Sequence, residues 1–235
     1  MTNAAQALTQ SLGPAGGIRH IRVNALADLA AVHLYLTEEW EKLDEALSGG
    51  TRGGHLSLAR CLASGLHRLA SYRGPAMVRT STVGPVMEWY RENRFVTEQG
   101  FWTASASAAA LREGGPGFVV WSLSARRTAA VTPHAPEQVI FLPGTRFKVL
   151  RVMDVRQPLV LMRELFPQEA SGHPSHPASA EGSTWLDESI LADLESMTAA
   201  DSRAADPFIP SIATGPRQRP PGLIVTSRTA SVLRQ

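Results

Sequence analysis

The hydrophobic periodicity of the chain changes character once, at Gly74, and that change decides which class of fold is open to it. Before Gly74 the spacing is helical. From Asn24 to Leu47 the apolar residues Leu26, Leu29, Ala30, Val32, Leu36, Trp40, Leu43 and Leu47 recur on one side of a helix that Asn24 is placed to cap. Gly49, Gly50, Gly53 and Gly54 end it, and a second helix is expected from about Leu56 to Leu69, with Leu58, Cys61, Leu62 and Leu66 on its apolar side. After Gly74 come short β-leaning runs separated by turn residues: Ala76 to Thr80, Gly100 to Ser105, Gly117 to Leu123, Gln138 to Leu142, Thr145 to Val152 and Pro158 to Glu164. Short helices are expected between them at about Gly84 to Arg91 and Ser107 to Glu113. Helices first and strands afterwards predict an α+β domain with a mixed or largely antiparallel sheet. A doubly wound parallel sheet would need the two to alternate.

The same reading divides the 235 residues into a disordered leader at 1–17, a folded domain at 18–166 and a largely disordered tail at 167–235. Pro167 to Ser183 reads as a linker rich in Pro, Ser, Ala, Gly and His. Trp185 to Met197 then places Trp185, Leu186, Ile190, Leu191, Leu194 and Met197 on a short amphipathic helix, long enough to dock on a partner, and Gly222 to Val225 has the makings of an edge strand. Hydrophobic residues are 43% and charged residues 19% of the chain, which excludes disorder throughout. No apolar run approaches the roughly 20 residues a membrane-spanning helix needs. The formal charge of +2 gives no strong nucleic-acid signal. Cys61 is the single cysteine, so an intrachain disulfide is impossible. Met1 to Gly17 has neither a basic n-region nor an apolar h-region, and the chain is expected to be soluble, either cytoplasmic or exported by a leaderless route.

The polar residues carry information through their order. Arg79 closes the run Met77-Val78-Arg79. Phe101-Trp102-Thr103-Ala104-Ser105 follows, with Thr103 and Ser105 on one face of a strand. Then comes Glu137-Gln138-Val139-Ile140-Phe141-Leu142-Pro143-Gly144-Thr145-Arg146-Phe147-Lys148-Val149. This succession resembles the toxin-like ADP-ribosyltransferase family of the arginine, serine, glutamate motif type. In that family an Arg ends the first core strand, a Phe-x-Ser-Thr-Ser-like segment forms a later one, and a Glu-x-Glu or Gln-x-Glu pair opens a strand that runs into Pro-Gly-Thr-x-Phe-x-Val. The resemblance covers roughly Leu26 to Glu164, and Phe141 to Val149 is its most specific part. It implies a split mixed or antiparallel β-sheet core preceded by an N-terminal helical pair. It also implies transfer of ADP-ribose from NAD, the substrate, to a protein or other macromolecular acceptor, with NAD glycohydrolase activity on the side and no metal. No His, Cys or carboxylate cluster here has metal-ligand spacing; His173 and His176 lie in the expected linker.

By the resemblance, Arg79 holds NAD, Thr103 and Ser105 shape its pocket, and a carboxylate stabilises the ribose as nicotinamide leaves. Cleavage of that bond builds an oxocarbenium-like cation, so the chemistry requires one nearby anion. Here the chain departs from the family. Counting back from Pro143-Gly144 puts Gln138 where the catalytic Glu stands, with Glu137 one residue early. Side chains alternate along a strand, so Glu137 would point away from the cleft unless an irregular, loop-like start near Pro136 redirects it. Two outcomes stay open: an enzyme using Glu137, or a catalytically degenerate relative that serves as a binding or scaffold module. The place that sorts arginine-directed members, two before the catalytic Glu, is Ala135 or Pro136, and neither can orient a guanidinium.

Overall fold

The computed structural model describes residues 23–37, 54–80, 87–111, 115–153, 158–170, 177–203 and 220–222. Helices α1 (Val23–Thr37) and α2 (Gly54–His67) come first and pack on each other through Leu29, Val32, Ala59, Leu62 and Leu66. Asp28, buried between them, accepts from Ser64 Oγ at 2.6 Å and from Arg68 Nε at 3.2 Å, which satisfies a carboxylate that packing removes from water. Residues 38–53 and the leader at 1–17 lie outside the described residues, as does the second half of the long helix expected to reach Leu47.

Among the described residues seven strands follow: β1 (Ser71–Arg79), β2 (Phe95–Thr97), β3 (Trp102–Ser105), β4 (Gly117–Arg127), β5 (Gln138–Phe141), β6 (Arg146–Met153) and β7 (Leu159–Glu164). They form one mixed sheet in the order β1-β3-β5-β4-β7-β6-β2, parallel only where β4 meets β7. Because β1 also pairs with β4, strands β1, β3, β5 and β4 close on one another. The enclosed face is apolar, with Val78, Trp102, Ala104, Phe118, Val139, Phe141 and Phe147 in one core. On the outer face, α1 and α2 cover Phe101 and Ile140.

All six expected strand segments are strands, and two differences have physical causes. Strand β1 starts at Ser71 rather than Ala76, because Arg73-Gly74-Pro75 reads as turn chemistry although it is a β-bulge within the strand. Strand β2 was not expected, since three residues are too few to show alternation; its pairing with β6 holds it in place. Of the two expected short helices the described residues show one 3₁₀ turn each, Met87–Trp89 and Ala108–Leu111, and 84–86 and 112–113 lie outside them.

The C-terminal region holds more helix than expected. A one-turn helix, α3 (Pro167–Ala170), stands where a linker was read, and α4 spans Pro177–Arg203 rather than about 185–197. Its first turns are Ser- and Ala-rich and carry no apolar period, so they were invisible to a periodicity argument. The apolar side of α4 packs on its own sheet: Ile190 and Leu194 meet Met77, Leu111, Val119, Leu159 and Leu161. Of the expected edge strand, Gly222 lies in a turn and 223–225 fall outside the described residues.

Candidate active site

Strand register brings the three sequence motifs together. Met77 of β1 is paired with Ser105 of β3, and Ser105 with Gln138 of β5. Directly paired residues share a face, and residues two apart on a strand share it too. Arg79, Thr103, Ser105 and Gln138 therefore stand on one face of β1-β3-β5, whereas Val78, Ala104 and Val139 turn into the enclosed core.

Arg79 is half-buried. Its Nε donates to the Leu111 carbonyl at 3.0 Å and its Nη1 to the Gly115 carbonyl at 2.5 Å. A Cβ on Gly117 beneath it would lie 2.6 Å from Leu159 Cδ1 and 3.2 Å from Arg79 Cζ, so a side chain there would have to displace the ends of both. Thr103 is buried, and Ser105 Oγ accepts from the Ser107 amide at 3.1 Å, which starts the 3₁₀ turn. That turn ends at Leu111, so the carbonyl that receives Arg79 is itself set by the residue following the Thr103–Ser105 strand.

Gln138 and Glu137 differ in surroundings. Gln138 Oε1 lies 3.2 Å from Thr128 Oγ1 and 3.4 Å from Thr132 Oγ1, two buried hydroxyls whose single protons are shared with the Gln138 and Thr128 carbonyls at 3.1 and 3.0 Å. Its amide therefore pins the loop between β4 and β5. Glu137 sits in a turn closed by the Gln138 amide donating to the Ala135 carbonyl at 3.0 Å, and its own carbonyl accepts from Ala106 at 2.7 Å. The strand thus has the loop-like start that the Pro136 ring suggested, and the Glu137 side chain is exposed there. Its charge reaches Tyr72. Burial raises the Tyr72 pKa first, Arg127 lowers it, and Glu137 raises it again. Arg127 stacks on the same ring, with Cζ 4.6 Å from its centroid. Glu137→Gln is accordingly expected to lower the Tyr72 pKa in a tyrosinate absorbance titration. An unchanged midpoint would place the carboxylate elsewhere.

Sequence reasoning missed the partners that fix these groups: Thr128 and Thr132 around Gln138, and the Leu111 and Gly115 carbonyls around Arg79. The first pair falls in a loop whose spacing carries no motif, and backbone acceptors have no sequence signal. Arg126, near the end of β4, is turned toward α2, with Nη1 on the Leu69 carbonyl at 3.2 Å and Nη2 3.3 Å from His67 Nδ1. Among the described residues no three His, Cys, Asp or Glu side chains are grouped to hold a metal ion, and no helix is long and apolar enough to cross a membrane.

Comparison with solved structures assigns the fold. The type III effector XopAI from Xanthomonas axonopodis pv. citri superposes with a TM-score of 0.58 at 22% identity, over 70% of this chain and 72% of that one. Exoenzyme S from Pseudomonas aeruginosa, solved with human 14-3-3 protein beta and bound to carba-NAD, superposes with a TM-score of 0.55 at 17% identity, over 76% of this chain and 96% of that one. The fold is that of the toxin-like ADP-ribosyltransferases. In sequence the chain is 27% identical over 147 residues to "Putative NAD(+)–arginine ADP-ribosyltransferase Mav" of Mycobacterium avium (strain 104). That alignment covers 57% of this chain and 17% of the relative, so the chain spans about a sixth of the relative's length. No protein-family model matches.

Proposed function

We propose that the chain is an NAD-dependent mono-ADP-ribosyltransferase that moves ADP-ribose to a protein side chain and hydrolyses NAD in the acceptor's absence. The observation that carries this reading is the register Met77–Ser105–Gln138, which sets the three motifs of the family side by side on one face. In it Arg79 clamps the NAD phosphate or ribose through a planar, permanently charged fork, a role that a compact ammonium fills less well. Thr103 and Ser105 line the nicotinamide pocket. On this reading Glu137, on the turn that precedes β5, supplies the negative charge under the ribose carbon, and Gln138 sets the loop that carries it. The carba-NAD bound to Exoenzyme S and the name of Mav support NAD as the substrate. Mav is named for arginine as acceptor, whereas this chain has Ala135 and Pro136 where arginine-directed members carry Glu, so an acceptor other than arginine is the reading preferred here.

A second reading is favoured by one observation. The family's catalytic place holds Gln138, a neutral amide already engaged by Thr128 and Thr132. On that reading the chain binds NAD without cleaving it and acts as a binding module. Nicotinamide release on incubation with NAD separates the two. For either, Arg79→Gln is expected to weaken NAD binding about tenfold to a hundredfold in a calorimetric titration, the worth of one charge-assisted contact. Equal affinity in the variant would remove Arg79 from the site.

A further inference from the structure

Pro220-Pro221-Gly222 is seated against residues more than a hundred positions earlier in the chain, and each contact reads a different feature of the tripeptide. The Tyr90 hydroxyl, on a side chain 3% exposed, donates to the Pro221 carbonyl at 2.6 Å. Glu98 is fully buried; one carboxylate oxygen accepts from the Gly100 amide and the other from the Gly222 amide, each at 2.9 Å. Gly222 has φ +72°, and a Cβ there would lie 2.3 Å from Val96 Cγ1 and 3.1 Å from the Thr97 carbonyl oxygen. Pro220 and Pro221 are both buried.

Together these contacts define a specificity. The Gly222 position accepts glycine alone, for want of space and because a left-handed backbone disfavours a side chain. Two successive prolines arrive with φ already fixed, so ordering them costs little conformational entropy. A carboxylate removed from water needs its donors, and one of them comes from the tripeptide. We propose that Tyr90, Val96, Thr97 and Glu98 form a recognition slot for a Pro-Pro-Gly peptide, which the chain fills in cis with Pro220–Gly222 and which takes the same tripeptide in trans once that segment is released. The slot is separate from the Arg79 face and does not depend on the transferase reading. It is joined to the pocket strand through the Glu98 carboxylate, which also holds the Gly100 amide two residues ahead of Trp102 where β3 begins, and through the core that Tyr90 and Val96 share with Trp102 and Ala104.

The test uses the full chain. Gly222→Val cannot seat its own segment, so a fluorescein-labelled synthetic peptide of residues 218–225 is expected to bind that variant saturably in an anisotropy titration, and wild type at least about tenfold more weakly because the cis segment competes. The same peptide with Val in place of the glycine should bind neither. Equal binding to wild type and Gly222→Val, or no binding to the variant, overturns the slot. If Gly222→Val does not fold, Tyr90→Phe retains the ring and removes one hydrogen bond. Amide exchange at Gly222, whose N–H is the one amide of the tripeptide, is then expected to quicken about fivefold, the loss of one neutral hydrogen bond. Unchanged exchange in Tyr90→Phe overturns the proposal equally. A concentration-dependent dimer of wild type, lost in Gly222→Val, would assign the segment to a neighbouring copy and overturn the cis arrangement.

Discussion

Glu137→Ala is expected to lower nicotinamide release from NAD by about 10²–10³, the loss of about 3–4 kcal/mol that follows removal of one well-placed electrostatic stabiliser. The effect should fall on turnover and leave NAD affinity near its wild-type value, because the charge matters only as the ribose becomes cationic. Glu137→Gln should lose nearly as much, since it keeps the shape and removes the charge. The counter-experiment is Gln138→Glu placed in the Glu137→Ala background. The Thr128 and Thr132 hydroxyls that surround Gln138 Oε1 are donors, and donors stabilise a carboxylate at least as well as an amide oxygen. That double variant therefore tests the family's own catalytic place with a group its surroundings accept. If wild type and Glu137→Ala release nicotinamide equally slowly while the double variant gains about a hundredfold, the transferase reading fails and the binding-module reading stands.

How far this could be read from sequence depended on where the information lay. The helical pair and the strands β4, β5 and β7 are long or apolar enough for their period to be visible. The alignment of Arg79, Thr103, Ser105 and Gln138 followed from motif order, and pairing then supplied the neighbours Met77–Ser105–Gln138. What sequence left open was a matter of one residue. Alternation alone would turn Glu137 into the enclosed core face beside Val139, but the turn at Ala135–Gln138 interrupts the strand first, and such a turn depends on loop closure between β4 and β5. The C-terminal helix was underestimated because its first turns carry no apolar period. Its seat on the sheet was equally illegible, since it joins Ile190 and Leu194 to charges scattered in sequence, Lys148, Arg163, Asp187 and Glu169, that meet only in the folded chain.

Those charges give the largest stability effect expected of a single substitution. Arg163 and Lys148 are directly paired between β7 and β6, two cations facing each other on adjacent strands, an arrangement that is unfavourable alone. Asp187 of α4 resolves it by bridging both: one oxygen meets Arg163 Nε and the other lies 2.5 Å from Lys148 Nζ. Glu169 of α3 completes the arrangement with a two-pronged contact, 2.8 Å to Nη1 and 2.7 Å to Nη2 of Arg163. Burial works against the charge of this guanidinium, but the hydrogen bonds to Glu169 and Asp187 outweigh it and raise the Arg163 pKa above its ordinary value. An arginine that is 1% exposed thus fixes where both α3 and α4 can sit. Removing one partner of a buried ion pair typically costs about 3–5 kcal/mol, because the other charges stay behind without compensation. Arg163→Ala is therefore expected to lower the thermal midpoint by about 6–20 °C at roughly 2–4 °C per kcal/mol for a chain of this size. Hydrogen exchange should quicken in α4 before it does in the enclosed core. Replacing Lys148, Arg163, Asp187 and Glu169 together by Met, Met, Leu and Leu should recover most of that loss, since a packed apolar group carries no orphaned charge. If Arg163→Ala melts within a degree or two of wild type, the pairing is incidental and α4 is held by its apolar side, with Ile190 and Leu194 at its centre.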